Sequence, residues 1–216
     1  MDNLKDKIWA VVSDSLTEVN EATKKHYHDY IAEETGIKVI NYGVGGTGYM
    51  RGCDCSSAFY QRVLNISSDV DIITIFGSGN DLGRKVGIGK LGDITDRGTD
   101  TICGCINKVL DNLFTKFPTT PIGIVSPTPW YKFPTTAPNN DMELYVQKLE
   151  LICKRRGVKY LDLYHSSSLR PEDETNRNLY FYNKSELDGN GDGIHLNELG
   201  HKIIYPAFRE FLESMI

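Results

Sequence analysis

Residues 7–17 read KIWAVVSDSLT, an apolar run that passes directly into a polar turn. The branched and aromatic residues over residues 7–13 predict a buried strand, since such strands appear as short continuous apolar runs. The small polar residues after it favour a turn and the beginning of a helix. Segments of the same kind recur along the chain, and we predict further strands at residues 37–41, 70–77, 121–126 and 158–163.

Amphipathic helices are predicted between these strands. From Ile102 to Phe117 the apolar residues recur with helical spacing, and Asp100 or Thr101 precedes them as a candidate N-cap. The other predicted helices cover residues 142–152, 199–215 and, with weaker patterns, 18–34 and 56–64. Strands that alternate with helices predict a five-stranded parallel sheet covered on both faces, a three-layer α/β/α sandwich. A length of 216 residues is typical of a single domain, here residues 1–216.

Composition narrows the function classes. The formal net charge is −5, which argues against nucleic acid or an anionic membrane as the main partner, because both are bound through basic patches. The longest apolar run, residues 8–12, is too short to span a bilayer or to form a signal-peptide core. We therefore expect a cytoplasmic protein without stable membrane anchoring; secretion after loss of a signal, and the oligomeric state, stay open.

Five cysteines are an odd number in a chain that needs no covalent support, which favours a reducing compartment. Two CxC pairs stand at residues 53–55 and 103–105, with Cys153 apart from them. Buried thiols are the first interpretation, a disulfide between the pairs the second, and a zinc site the third, because structural zinc prefers CxxC spacing. We expect no metal and no cofactor.

Small polar residues and glycines follow the first three predicted strands. Ser15 comes after the first strand, the string NYGVGGTG over residues 41–48 after the second, and GSGND with Asn80 after the third. Each is by itself typical of a helix cap or a turn. In a parallel sheet, however, all three lie at the carboxyl edge, where ligands bind.

A fourth polar segment, DGNGDGIHLN, precedes the last helix. Asp192 and His195 are three positions apart, which lets the carboxylate reach Nδ1 of the imidazole and leaves Nε2 as a base. Asp188, Asn190 and Asp192 also match the opening of a calcium-binding loop, but Leu199 stands where that loop needs glutamate. Together the four segments supply a nucleophile, oxyanion donors, a base and an orienting carboxylate, the equipment for acyl transfer.

With these four segments in order, SDSL, NYGVGG, GSGND and DGIH, the sequence resembles the SGNH hydrolases, also called the GDSL esterase/lipase family, over essentially its whole length. The resemblance implies a flavodoxin-like three-layer fold. It implies Ser15 as nucleophile, His195 as general base and Asp192 as the residue that orients His195. The oxyanion hole would consist of the Ser15 and Gly46 N–H groups and the Asn80 amide.

The sequence departs from the family pattern at two positions, and one role has two candidates. Ser13 stands where the family usually has glycine, and Leu196 where proline often follows the histidine. Gly45 is an alternative to Gly46 as oxyanion donor. Neither departure removes a chemical group that the mechanism needs.

The function expected from these features is hydrolysis of carboxylic esters, with deacetylation of carbohydrates or of other short acyl esters first. The aromatic residues within residues 126–133 follow the fourth strand and suit sugar rings or small acyl groups. The alternatives are a lipid acyl hydrolase of the lysophospholipase or thioesterase type, and a non-catalytic sugar- or calcium-binding module. His26 and His28 are expected to be solvated on a surface helix, and His165 and His201 to be structural.

Overall fold

Five parallel strands form the central sheet of this computed structural model, which describes residues 3–50, 57–82, 90–131, 142–183 and 189–216. The strands are β1 (Ile8–Ser13), β2 (Lys38–Gly43), β3 (Ile72–Phe76), β4 (Ile122–Val125) and β5 (Lys159–Leu161). Their spatial order is β2-β1-β3-β4-β5, and all neighbouring pairs are parallel. The predicted five-stranded parallel sheet is thus confirmed.

Helices cover both faces of the sheet. They are α1 (Tyr27–Thr35), α2 (Phe59–Arg62) with a 3₁₀ turn at Val63–Asn65, α3 (Ile102–Lys116), α4 (Met142–Arg156), α5 (Leu163–Ser166), α6 (Glu174–Tyr180) and α7 (Glu198–Ser214). A separate antiparallel pair, β6 (Phe181–Asn183) and β7 (Gly191–Leu196), lies between α6 and α7 in the chain. No helix in the described parts of the chain is both long and apolar enough to cross a membrane.

The alternation of side chains along β1 produces the three layers. Ala10 and Val12 pack into one core with apolar residues of α2, α3 and α4. Trp9 and Val11 point to the other face and pack with α1 and α7, where Trp9 contacts Phe208 at a ring distance of 5.5 Å. Because side chains alternate along a strand, a central strand that is apolar throughout is buried on both faces.

The first long helix shows how local sequence sets an element boundary. Of the two predicted N-caps of α3, Thr101 is the one observed, and its hydroxyl accepts the Gly104 N–H. A hydroxyl at this position satisfies one of the N–H groups that have no partner within the helix. The predicted helix over residues 102–117 is therefore found almost unchanged.

The predicted helix over residues 18–34 is wrong in its first half, since α1 begins at Tyr27. Asn20 explains the difference: its amide donates to the carbonyl groups of Ser15 and Glu18, and its side-chain oxygen accepts the Ala22 N–H. Such side-chain bonds to the nearby backbone compete with helix formation. Residues 18–26 consequently form turns beside the end of β1.

The expectation that His26 and His28 are solvated is also wrong, because their exposed fractions are 2% and 4%. The two rings stack on each other at 5.2 Å, and His26 also packs against the buried His201 of α7 at 4.8 Å. His28 Nε2 lies 3.3 Å from the Thr17 carbonyl oxygen. His28 thus contacts the turn that carries Ser15, at the carbonyl group of Thr17.

Residues 164–193, for which no strand or helix is predicted, contain regular structure that their composition does not reveal. The β6–β7 pair has a register of Phe181 opposite Leu196, and the Asn178 side chain accepts the Gly191 N–H beside it. This pair places residues 191–196 next to the carboxyl edge of the main sheet. In the sheet β1 lies between β2 and β3, so the strand order reverses at β1. In parallel α/β sheets, ligands usually bind at the carboxyl ends of the strands where the order reverses.

Candidate active site

Ser15 lies in the turn that immediately follows β1. The Asp14 carboxylate accepts the Leu16 N–H at 2.9 Å, and the Asn20 amide donates to the Ser15 carbonyl oxygen at 2.7 Å. These contacts fix the backbone on both sides of Ser15, which is partly exposed at the carboxyl edge of the sheet. A serine hydroxyl in this position is open to a substrate and rigidly placed.

His195 comes from β7 and reaches Ser15 across 180 positions of sequence. Its Nε2 atom lies 3.0 Å from Ser15 Oγ, within hydrogen-bond distance, and its Nδ1 atom lies 2.7 Å from Asp192 Oδ2. An Nδ1–H that donates to the carboxylate leaves Nε2 as an acceptor for the serine hydroxyl. Ser15, His195 and Asp192 therefore form one continuous hydrogen-bonded chain.

Asp192 is held as a charged carboxylate. Burial favours its neutral form, but hydrogen bonds from the His195 ring and from the Ile194 and His195 N–H groups outweigh it and keep the Asp192 pKa below its ordinary value. Both carboxylate oxygens are engaged in this way. Gly193, at φ +68°, makes the tight turn between Asp192 and the histidine.

Asn80 follows β3 and its amide faces the same edge. The Nδ2 atom lies 3.0 Å from Asp14 Oδ2, 3.0 Å from the Thr47 carbonyl oxygen and 2.9 Å from Ser78 Oγ. Ser78 also accepts the Asn80 N–H at 3.0 Å. The amide orientation is thus determined by acceptors from three separate segments.

The glycine-rich segment after β2 packs against the Ser15 turn at close range. A Cβ atom on Gly43 would lie 2.5 Å from the Glu18 backbone nitrogen, so only glycine fits there. Gly46 adopts φ +71° and lines a cavity together with Ser15 and Asn80. Gly45 lies beside the Glu18 carboxylate. The oxyanion role that the family resemblance implies for Gly46 stays a prediction.

Two buried ionisable residues near the site, Asp14 and Arg62, were not anticipated from the sequence. Asp14 is almost fully buried, and burial raises its pKa, while the hydrogen bond from the Leu16 N–H and, to a smaller extent, the Arg62 guanidinium oppose that shift. Arg62 donates to the Ser13 carbonyl oxygen at 2.6 Å and to Thr47 Oγ1 at 3.1 Å. Arg62 thereby connects the end of β1 to the glycine-rich segment after β2, which contains Thr47. No motif marks Arg62, because its role depends on α2 packing under β1.

Two cavities share Ser15 and His195 among their lining residues. The first, about 130 Å³, is lined by Gly46, Asn80, Trp130 and Ile194 in addition to that pair. The second, about 150 Å³, contains the pair and the side chains of Glu18, Asn20, Glu21, Ala22 and Tyr182. The first cavity is mainly apolar beyond its amide and backbone groups, and the second is acidic.

Trp130 is held in place through its neighbour in the chain. The Tyr131 N–H donates to the Gly193 carbonyl oxygen at 2.8 Å, and the Arg177 guanidinium lies 3.9 Å from the centre of the Tyr131 ring. A Cβ atom on Gly193 would approach the Tyr131 Cβ to 2.2 Å. The aromatic segment predicted to lie near the site therefore contacts the turn that carries His195; its residues after 131 lie outside the described part of the chain.

The metal alternatives find little support in the described residues. Asp192 uses both oxygens for His195 and the backbone, and Asp188 of the calcium pattern lies outside the described residues. His26, His28 and Asp29 place three candidate ligand atoms within 4.8 Å of one another. The two imidazole planes, however, are inclined by only 4°, so their in-plane lone pairs do not converge on one ion.

The cysteines that the structure describes are buried free thiols: Cys103, Cys105 and Cys153. Burial raises the pKa of Cys103 to about 11 and that of Cys105 to about 12, which keeps both protonated and unreactive. Cys53 and Cys55, and any pairing with them, lie outside the described residues. For the three described cysteines the first interpretation fits.

A sheet of this order with a serine–histidine contact at its carboxyl edge is the arrangement of SGNH-type ester hydrolases. The GDSL-like lipase/acylhydrolase family model matches residues 14–203, and the chain belongs to this family. It is accordingly an ester hydrolase, as expected from the four motif segments. No protein of curated function matches the sequence.

Solved structures share the fold at low sequence identity. A Lactobacillus plantarum protein is 24% identical with a TM-score of 0.83, covering 99% of this chain and 100% of its own. A carbohydrate acetylesterase family member from Sinorhizobium meliloti is 14% identical, with a TM-score of 0.64 and coverages of 97% and 98%. An acetylxylan esterase from Geobacillus stearothermophilus is 17% identical, with a TM-score of 0.61 and coverages of 98% and 96%. At these identities the likeness shows the fold.

Proposed function

We propose that the protein is a serine esterase that removes short acyl groups, acetyl first, from a carbohydrate or another small alcohol. The observation that carries the proposal is the hydrogen-bonded chain of Asp192, His195 and Ser15, which ends at a cavity of about 130 Å³. A nucleophile, a base within 3.0 Å of it and an orienting carboxylate are the groups that covalent acyl transfer requires.

In the proposed mechanism Ser15 Oγ attacks the ester carbonyl carbon while His195 Nε2 takes the hydroxyl proton. The tetrahedral intermediate then expels the alcohol oxygen, which receives that proton from the imidazolium, and an acyl-serine remains. Water attacks the acyl-serine with His195 again as base, which releases the acid and restores the serine. Asp192 holds Nδ1–H throughout and stabilises the imidazolium.

The oxyanion in this mechanism is held by the Ser15 and Gly46 N–H groups and by the Asn80 amide. Asn80 and Gly46 line the same cavity as Ser15, whereas Gly45 is not among its lining residues, which supports Gly46 over Gly45. Donors that are fixed before the reaction stabilise the developing charge without reorganisation, and each is typically worth about 2.7–4 kcal/mol of barrier.

The size of the first cavity supports a short acyl group. A cavity of about 150 Å³ is sufficient for a benzene molecule. A cavity of about 130 Å³ therefore accommodates a carbonyl group and a few carbons, with Trp130 and Ile194 as its apolar walls. A long lipid chain would need additional space, which argues against a lipid acyl hydrolase. Two proteins of the same fold, a carbohydrate acetylesterase family member and an acetylxylan esterase, support deacetylation of carbohydrates as the first choice.

The test is hydrolysis of p-nitrophenyl acetate, butyrate and octanoate by the wild type and by Ser15→Ala, followed by acetylated oligosaccharides. We expect turnover that depends on Ser15 and falls steeply beyond acetate. Preference for octanoate would favour the lipid alternative. Equal inertness of the wild type and Ser15→Ala, with calcium-dependent thermal stabilisation, would instead favour the non-catalytic binding module.

A further inference from the structure

The second cavity beside Ser15 and His195 has a chemical character of its own. Besides Ser15 and His195, it is lined by Glu18, Asn20, Glu21, Ala22 and Tyr182. Among the lining residues that the structure describes there is no lysine or arginine. The cavity therefore carries two formal negative charges and an aromatic ring next to the reacting atoms.

The position of the oxyanion donors decides which part of an ester enters each cavity. Asn80 and Gly46 belong to the first cavity, so the carbonyl oxygen and the acyl group lie there. The leaving oxygen has to be within reach of His195 Nε2, because it receives its proton from that atom. His195 lines both cavities, and the second cavity is the one left for the alcohol.

Of the two glutamates that line the second cavity, Glu18 is the one whose carboxylate the structure places next to the glycine-rich segment and the Ser15 turn. Its backbone N–H donates to the Asp14 carbonyl oxygen at 3.0 Å, which ties it to the Ser15 turn. An ideal Cβ atom on Gly45 would lie 2.5 Å from Glu18 Oε2 and 3.6 Å from Ser15 Cβ, so the carboxylate is beside the nucleophile. Lys25, the lysine that follows this segment in the chain, is engaged by Glu33 and by the Tyr30 ring on α1.

Building on the proposed function, we infer that Glu18 is a specificity-determining residue and that it selects esters whose alcohol carries a positive charge. A carboxylate next to the leaving group attracts an ammonium group, leaves a neutral isostere unassisted and repels an anion. The Tyr182 ring adds an aromatic surface of the kind that binds ammonium groups through cation–π contacts. Amino alcohols and amino sugars belong to the favoured class, and phosphorylated alcohols are disfavoured.

The test compares three acetate esters of similar size and different charge: 2-(trimethylammonio)ethyl acetate, its neutral isostere 3,3-dimethylbutyl acetate, and 2-sulfoethyl acetate. For the wild type we expect kcat/KM to be about tenfold higher for the cationic ester than for the neutral one at low ionic strength. The anionic ester should be the poorest substrate. The cation preference should shrink as salt is raised to about 0.5 M, because exposed charges are screened.

Glu18→Gln should reduce the cation-to-neutral ratio to about two- to threefold, since the amide has the same shape without the charge. The control is Glu150→Gln, which makes the same charge change on the exposed face of α4, outside both cavities, and should leave the ratio as in the wild type. Ratios within twofold for all three esters in the wild type would overturn the inference, as would an undiminished ratio in Glu18→Gln.

The inference and the proposed function fail in different ways. Turnover of p-nitrophenyl acetate that depends on Ser15, without any preference for charge, would reject the role of Glu18 and leave the esterase intact. Absence of Ser15-dependent turnover of every ester would reject the proposed function, and the inference with it.

Discussion

Replacement of Asn80 by alanine tests the oxyanion assignment most directly. In the free protein Nδ2 has three acceptors, at Asp14, Thr47 and Ser78, for its two hydrogens. One hydrogen has to leave a neutral acceptor, the Thr47 carbonyl or the Ser78 hydroxyl, to reach the oxyanion. The exchange is favourable because bonds to a charged oxygen are about twice as strong as neutral ones.

The structure gives a magnitude for two separate effects of Asn80→Ala. Loss of one oxyanion donor is worth about 2.7–4 kcal/mol of barrier, which corresponds to a fall in kcat of about 10²–10³-fold. Because the donor exchanges an existing bond, we expect the lower end of that range. The variant also removes a hydrogen bond from the buried Asp14 carboxylate, which costs about 1–3 kcal/mol in the free energy of unfolding.

The assay is single-substrate kinetics with p-nitrophenyl acetate together with thermal unfolding of each variant. Ser78→Ala is the matched control, because it weakens the same network while the Asn80 amide remains. It should lower Tm by several degrees, at about 2–4 °C per kcal/mol for a chain of this size, with less than tenfold change in kcat. A tenfold loss or less in folded Asn80→Ala would remove Asn80 from the oxyanion hole.

Three further predictions concern the nucleophile, the acyl cavity and the buried histidines. Ser15→Ala should abolish nearly all turnover, with a far-ultraviolet spectrum like that of the wild type; retained turnover would refute the assignment. Trp130→Ala should enlarge the first cavity and raise the ratio of butyrate to acetate hydrolysis about tenfold, and an unchanged ratio would mean that the acyl group binds elsewhere. Burial holds the pKa values of His26, His28 and His201 below the ordinary value, so the unfolded chain binds more protons, and the urea midpoint should fall as pH drops below about 6.5. His201→Phe should make that fall shallower, and an equal fall would exclude a contribution from this histidine.

Local sequence patterns were sufficient to predict the strands of the sheet and the residues of the candidate site. Apolar runs with polar ends predicted all five strands of the sheet. The pattern is clearest in β1, β3 and β4, because these central strands are buried on both faces. The spacing of Asp192 and His195 anticipated their contact, since three residues bring a carboxylate within reach of the imidazole. The roles of Ser15, Gly46 and Asn80 are implied by the resemblance to the SGNH hydrolases and stay predictions until activity is measured.

Tertiary structure decided what depends on residues distant in sequence. Burial of His26 and His28 under the Ser15 turn follows from packing against α7, and nothing in their own segment marks it. The second cavity is lined by Tyr182 of β6 and by Glu18 of the segment after β1, which are far apart in the sequence. The spacing of apolar residues and the types of polar side chain can be determined within each segment. The walls of a cavity and the burial of a charge arise only when separate segments pack together.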